Sequence, residues 1–301
     1  MKISVILPAR NEATSLLQLL PAIKGFFPEA EVIVVNDGSN DETESVALQS
    51  GARVFSNPYP QGNGAAVKVG ARRATGDVMV FMDADSQHPA EDIQRLIEKL
   101  ESGYDMVVGA RDGAGQASRH RGFANAFYNR LASWMVGHKV RDLTSGFRAV
   151  RRDKFLEFLY LLPNGFSYPT TITMAFFRAG YSVAYEPIAV QPRMKGTESH
   201  IRLWRDGVRF LLIIFKIGTL YSPLKLFAPV ALMHALLGLA YYAYSYVSFG
   251  RLSLATIFLL SASVTIFLIG LVSEQITALM YKDSTNKYDQ QPQLLAEEKP
   301  V

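Results

Sequence analysis

Val78-Met79-Val80-Phe81-Met82-Asp83-Ala84-Asp85 reads as an apolar strand that ends in two carboxylates one residue apart. A continuous apolar run of this length marks a strand buried on both faces, as in a parallel sheet covered by helices. Open α/β sheets deliver the carboxyl ends of such strands to a crevice where ligands bind. Two carboxylates placed there can hold a divalent cation whose remaining ligands are phosphate oxygens. Taken alone, the same pair is also an ordinary strand end ahead of an acidic helix cap, since Pro89 can open a helix and Ser86 can serve its N-terminus. The neighbouring segments decide between these readings.

Upstream, Ile3 to Leu7 is a strand, Glu12 to Phe26 has helical spacing, and Glu31 to Val35 is a second buried strand. A second helix spans Asp41 to Gln49, Arg53-Val54-Phe55 is a short strand, and a helix from Ala65 to Ala74 leads into the acidic strand. Asp105 to Gly109 is the next strand. This alternation predicts an α/β domain with a parallel, doubly covered sheet and right-handed crossovers. Pro8-Ala9-Arg10-Asn11-Glu12, Asn36-Asp37-Gly38-Ser39 and Asp83-Ala84-Asp85 then emerge on one edge. Each is unremarkable as a turn, but the three together form a nucleotide site. Asp37 can accept a hydrogen bond from a base N–H, Glu12 can bind ribose hydroxyls, and Gly62-Asn63-Gly64-Ala65 allows close backbone approach ahead of a helix N-terminus.

The chain has 301 residues, 49% of them hydrophobic, and the apolar surplus is concentrated near the C-terminus. No formally charged residue occurs from Leu226 to Val247 or from Leu252 to Val272, and each run reaches the roughly 20 residues that cross a bilayer core. The short Ser248-Phe249-Gly250-Arg251 link makes them an antiparallel hairpin. Arg202, Arg205, Arg209, Lys216, Lys225, Lys282 and Lys287 flank the hairpin while only Arg251 lies between its arms, which predicts an integral membrane protein with a cytoplasmic N-terminal domain. The apolar stretch after Met1 is too short for a signal peptide and reads as the first strand. Ile201, Trp204, Val208, Leu211, Leu212 and Phe215 recur at helical spacing among arginines, as in a helix lying in the interface or packed on the domain. Tyr241, Tyr242, Tyr244 and Tyr246 read as an interfacial aromatic belt. Small residues such as Ala262 and Gly270 make a homo-oligomer possible. The Asn-, Gln- and Glu-containing tail after Tyr281 predicts disorder.

The chain contains no cysteine, which excludes disulfides and thiolate metal sites. Its net charge of +4 comes with arginines gathered beside the apolar runs, which favours anionic lipid and not nucleic acid as the partner. His88, His120, His138 and His234 share no metal-ligand spacing and read as structural or solvated.

Four segments together resemble the family 2 inverting glycosyltransferases, in particular the polyprenyl-phosphate group that includes dolichyl-phosphate mannose synthase. They are Pro8-Ala9-Arg10-Asn11-Glu12, Asn36-Asp37-Gly38-Ser39, Asp83-Ala84-Asp85-Ser86-Gln87-His88-Pro89 and Asp142-Leu143-Thr144-Ser145-Gly146-Phe147-Arg148. The resemblance implies a Rossmann-like GT-A catalytic domain over residues 1–199, a juxtamembrane helix over 200–223, two transmembrane helices over 224–280 and a tail over 281–301. It implies that Pro8, Arg10, Glu12, Asp37, Gly64 and Asp83 line the nucleotide pocket, and that Asp83, Asp85 and Gln87 hold Mg2+ or Mn2+. It implies further that Arg111, Arg119 and Arg193 grip phosphate groups near the acceptor, with Ser145 in the acceptor-side motif. Arg10 stands where Tyr is commoner, Asn63 where Lys or Arg is often found, and His200 where Lys or Arg is usual.

The implied reaction is transfer of one sugar from a nucleotide-diphosphate sugar, of UDP-glucose or GDP-mannose type, to polyprenyl phosphate. The acceptor phosphate is already anionic at neutral pH, so no side chain need deprotonate it. Two other classes fit parts of the chain: a polysaccharide synthase, for which the Q-x-x-R-W signature is missing, and a silent membrane scaffold, against which the intact Asp83, Asp85, Gln87 and Arg193 argue.

Overall fold

The computed structural model describes residues 1–111, 119–165, 168–189, 215 and 218–297, apart from the side chains of 119–125, 127 and 281–297. The chain divides into two compact units, Met1–Arg202 and Leu203–Val301.

In the first unit, β1 (Ile3–Ala9), β2 (Glu31–Asn36), β3 (Arg53–Ser56), β4 (Val78–Phe81), β5 (Met106–Arg111), β6 (Arg148–Arg151) and β7 (Val183–Ile188) form one sheet in the order β3-β2-β1-β4-β6-β5-β7. Helices α1 (Ala13–Phe26), α2 (Thr43–Gln49), α3 (Asn63–Arg73) and α4 (Asp92–Glu101) alternate with the first five strands. They are followed by α5 (Arg119–Val136), α6 (Arg152–Glu157) and α7 (Tyr168–Arg178). The strands form where continuous apolar runs can be covered on both faces: every residue of β4 is buried, and so are Val5, Ile6, Leu7 and Val32 to Val35. Helix α4 shows the complementary pattern, with Ile93, Leu96, Ile97 and Leu100 buried along one stripe. Each such aliphatic side chain contributes about 1.5–3 kcal/mol when fully buried.

The parallel expectation holds for β1–β2, β1–β4, β2–β3 and β5–β7. It fails at β6, which runs antiparallel to both β4 and β5. The short Arg148–Arg151 segment is flanked by arginines and carries no alternation that marks it as a strand. It is stable there because Ala149 and Val150 are wholly buried between two apolar neighbours.

In the second unit, α8 (Pro223–Phe249) and α9 (Leu254–Glu297) form an antiparallel hairpin. Pro223–Phe249 and Leu254–Met280 are long and apolar enough to cross a membrane, with mean hydropathy of 1.6 and 2.4, and only 11% of each apolar window is buried. Gly250 ends α8 at φ 64°, a left-handed conformation suited to glycine, with its N–H on the Tyr246 carbonyl at 2.9 Å. The helices interlock through Ser263 Oγ, which donates to the Ala231 carbonyl at 2.8 Å, and through Glu274, which accepts the Leu224 N–H at 3.2 Å in the first turn of α8. Gly270 faces Phe227, and a Cβ there would stand 2.7 Å from it, so this small residue serves contact within the hairpin.

Helix α9 extends to Glu297 into the tail read from the sequence as disordered, although Asp283-Ser284-Thr285-Asn286 and Pro292 there do not favour helix by themselves. The juxtamembrane helix expected over 200–223 lies mostly outside the described residues. Residues 215 and 218–221 are helical.

Candidate active site

The sheet topology assembles the site. Strands β1, β2 and β4 are parallel, so their carboxyl ends share one edge. Because β6 is antiparallel, the segment that precedes it, residues 142–147, reaches that same edge, and Arg148 pairs with Phe81 at the last position of β4. Strand β5 runs opposite to β6 and therefore ends at that edge as well, with Arg111 at its terminus. All four motif segments thus converge, the last of them through an antiparallel strand.

The turns after β1 and β2 are stitched to each other. Asn11, at φ 56°, donates its N–H to Ser39 Oγ at 3.0 Å and accepts the Asn40 N–H at 2.9 Å. The Glu12 N–H reaches Thr43 Oγ1 at 2.9 Å, and Ser15 Oγ donates to the Glu12 carboxylate at 2.9 Å. Asp41 accepts the Ala13 and Thr43 N–H groups at 3.2 and 3.1 Å. Burial pushes its carboxyl up, but the hydrogen bonds from Thr43 and Ala13 outweigh that and hold it below the ordinary range. Pro8 is half-buried at the end of β1 and Arg10 is exposed.

Asp37 is 5% exposed, and its carboxylate accepts the Gln61 and Gly62 N–H groups and Asn57 Nδ2, each at 2.8 Å. The side chain expected to read a base therefore also shapes the 57–62 loop. Gly64 also packs closely on the chain itself. A Cβ built on it would stand 2.1 Å from the Pro163 carbonyl oxygen, so the close backbone approach it permits is to the chain's own 163–165 segment. The Ala65 N–H bonds the Asn164 carbonyl there at 3.0 Å.

Asp83 is half-buried and Asp85 buried just past β4, and the Asp85 carboxylate accepts the Gln87 N–H at 3.2 Å. Ser86 between them adopts φ 57°, a strained turn of the kind that re-aims neighbouring side chains. Across from them, Gly146 leaves the Asp83 carboxylate uncrowded, since a Cβ on it would stand 3.1 Å from Oδ2. Among the described residues, no three His, Asp or Glu side chains gather into a self-sufficient metal cage.

Arg111 and Asp142 form a two-point ion pair, Nε to Oδ2 at 2.7 Å and Nη2 to Oδ1 at 2.9 Å, and Arg111 Nη2 also donates to Thr144 Oγ1 at 2.6 Å. Asp142 accepts the Thr144 and Ser145 N–H groups as well, both at 3.1 Å. Burial raises the Asp142 carboxyl, yet the Arg111 hydrogen bonds and charge hold it below its ordinary value. Arg111 is raised in turn, chiefly by its hydrogen bond to Asp142. Two of the guanidinium nitrogens expected to grip phosphate are thus engaged on a carboxylate. Ser145 is buried, with no hydrogen-bond partner for its Oγ among the described residues. Arg119 opens α5 but its side chain lies outside the described residues, and so does the whole of Arg193.

Three residues that the sequence reading gave no role stand at this edge. Arg148 is 0% exposed, with Nη1 donating to the Pro169 carbonyl and Thr173 Oγ1 at 3.2 Å each and Nη2 donating to the Ser145 carbonyl. Burial pulls its guanidinium below the ordinary value, against Tyr168, Tyr185, Asp142 and Asp83, which favour its charge. Tyr168 lies under it with the ring 5.7 Å from the guanidinium carbon, and its hydroxyl donates to the Gly146 carbonyl at 3.2 Å. His88 is stacked on Phe147 at 4.8 Å, and burial lowers its pKa despite the Asp85 charge. The only sequence signal for His88 and Arg148 was membership of the 83–89 and 142–148 segments, and Tyr168 lies in neither.

Comparison with known proteins agrees with this fold. Glycosyltransferase AglJ of Haloferax volcanii is 28% identical over 254 residues, which cover 81% of this chain and 82% of that protein. The dolichyl-phosphate hexose transferase of the same organism is 31% identical over 198 residues, covering 65% of this chain and 86% of that protein. Glucosyl-3-phosphoglycerate synthase of Mycobacterium tuberculosis, solved with Mn2+ and UDP-glucose, shares the fold at a TM-score of 0.58 and 23% identity, over 72% of this chain and 78% of that one. Residues 222–279 match the GtrB C-terminal hairpin. Residues 4–159, more than half of the chain, match glycosyl transferase family 2, and the protein is an enzyme of that family, with a GT-A fold followed by a C-terminal two-helix hairpin.

Proposed function

We propose that the protein is a membrane-bound hexosyltransferase that moves a single sugar, with inversion, from a nucleotide-diphosphate sugar to a polyprenyl phosphate. The observation that carries this reading is the convergence of Asp83 and Asp85 with the Asp142–Arg148 segment on the edge where β1 and β2 present Glu12 and Asp37. A relative that the chain largely covers is a dolichyl-phosphate hexose transferase, and the apolar hairpin would hold the enzyme in the bilayer that contains such an acceptor. With the flanking lysines and arginines on one side, the catalytic unit would face the cytoplasm.

The Asp83 and Asp85 carboxylates and the Gln87 amide oxygen suit a hard cation such as Mg2+ or Mn2+, and with no third acidic side chain gathered there among the described residues, phosphate would complete the site. When bound, that cation would offset the charge of the departing nucleoside diphosphate. Pro8, Arg10, Glu12, Asp37, Gly64 and Asp83 would line the nucleotide pocket, together with the loop that Asp37 orders. Arg119 and Arg193 would bind the acceptor phosphate, aided by Arg111 from the rim, where its side chain remains 33% exposed. Planar guanidinium groups hold phosphate at two points and stay charged, so they can align its oxygen behind the anomeric carbon. The nucleophile is a ready anion, and no residue of the site is required as a general base.

The deciding experiment incubates purified enzyme in detergent with single radiolabelled nucleotide sugars and undecaprenyl or dolichyl phosphate, then extracts lipid. One donor should give labelled lipid that depends on Mg2+ or Mn2+. Label in long water-soluble glycan, or in no product from any donor, would refute the reading.

A further inference from the structure

Arg148 presents an energetic problem. A fully buried guanidinium normally pairs with a carboxylate, because isolating the charge from water costs several kcal/mol even after relaxation. Among the described residues no carboxylate forms an ion pair with it, and its Nε has no hydrogen-bond partner. Its direct contacts are neutral: the carbonyls of Ser145 and Pro169, Thr173 Oγ1, Met106 sulfur at 3.9 Å and the Tyr168 ring. A charge retained in such surroundings implies a use for its donors.

One of those donors joins two others on one short piece of backbone. Arg148 holds the Ser145 carbonyl, Tyr168 holds the next carbonyl, that of Gly146, and the Gly109 N–H holds the third, that of Phe147, at 2.9 Å. Tyr168 is itself fixed, 2% exposed and edge-on to Phe81 at 6.5 Å. The clamped backbone faces Asp83 across the Gly146 position, where only a hydrogen fits comfortably. Arg111, which also feels the Asp83 charge, is engaged on Asp142.

We propose that Arg148 and Tyr168 are positioning residues that clamp the Ser145–Gly146 backbone against Asp83, and so fix that carboxylate where it can hold the divalent cation. The proposal rests on the metal-binding reading of Asp83 given above. It assigns Gly146 a role too: the wall it forms must lack a side chain.

The test uses full-length protein in detergent, as wild type, Tyr168→Phe, Arg148→Lys and Gly146→Ala. Mn2+ affinity is read by electron paramagnetic resonance in the presence of UDP or GDP, and hydrogen exchange of the 143–150 peptide is read without metal. Tyr168→Phe removes one hydroxyl and leaves the ring packed. It should weaken Mn2+ binding roughly threefold to tenfold, the span of one net hydrogen bond, and speed exchange of the peptide. Arg148→Lys keeps the charge but cannot reach all its acceptors, and should do the same. Gly146→Ala leaves both clamps in place, so it should weaken Mn2+ binding while exchange stays slow. Should Arg148→Lys fail to fold, Tyr168→Phe decides. Wild-type Mn2+ affinity in Tyr168→Phe would overturn the clamp, even with a lowered melting temperature. If wild-type enzyme bound no Mn2+ with either nucleotide, the metal reading would fall, and the proposal with it.

Discussion

Replacing Asp142 with Asn tests whether the Arg111–Asp142 pair holds the motif loop together. The substitution keeps shape and one acceptor oxygen for the Thr144 and Ser145 N–H groups, but removes the charge opposite Arg111. Breaking a buried pair by neutralising one partner typically costs about 3–5 kcal/mol. Asp142 is buried, but the Arg111 side chain is 33% exposed and can partly rehydrate, so we expect about 2–3 kcal/mol. For a catalytic unit of this size that corresponds to a melting temperature lower by about 4–12 °C. The assay is a double-mutant cycle on full-length protein in detergent, with Asp142→Asn, Arg111→Met and the double variant. Since removing both charges leaves neither stranded, the double variant should be less destabilised than the sum of the singles by about 2 kcal/mol. A coupling below about 0.5 kcal/mol would show that the pair is a surface contact and that the loop is held otherwise.

Asp85→Ala should leave the fold intact, judged by circular dichroism, and lower turnover by about 10²-fold or more. A folded variant with near-wild-type turnover would remove Asp85 from the site. Arg193→Lys keeps charge but loses two-point phosphate binding, so transfer should fall strongly while donor affinity, measured by calorimetry, changes little. Stability should also fall in acid. Glu31, Asp41, Asp105 and Asp142 all have carboxyl pKa values depressed in the fold, so their contribution is fully present above the unfolded value of about 4 and is lost as pH falls through the lower folded values. Melts at stepped pH should show the decline beginning below about pH 4–5, and a stability independent of pH down to about 2 would contradict these environments.

Much of the architecture was legible because hydrophobic runs report burial directly. Strands β1, β2, β4 and β5 and helices α1 to α3 fall within a few residues of their sequence expectations, since long apolar runs and helical spacing leave few alternatives. Strand direction was less accessible. Nothing in Arg148-Ala149-Val150-Arg151 says which way it will run, because direction is decided by which neighbours remain open when it docks. The site was legible as a set of segments and less so as individual roles. Asp37 looked like a base reader, but its acceptors also hold the Gln61 and Gly62 amides, a contact made 24 and 25 residues away that no local pattern encodes. Arg148 carried no sign of burial, since arginine is usually exposed.

The antiparallel β6 has a further consequence for the nascent chain. Until residues 148–151 are available, β4 and β5 each lack a partner on the side that β6 will fill, and such unpaired strand edges invite pairing between chains. The strand that closes this gap is among the shortest in the sheet, and it joins partners about 70 and 40 residues earlier, a long-range closure that slows folding. Polar substitutions at Ala149 or Val150 should therefore appear first as poor yield and aggregation during synthesis. The molecules that do escape that window would carry a complete sheet edge, and with it nearly normal chemistry.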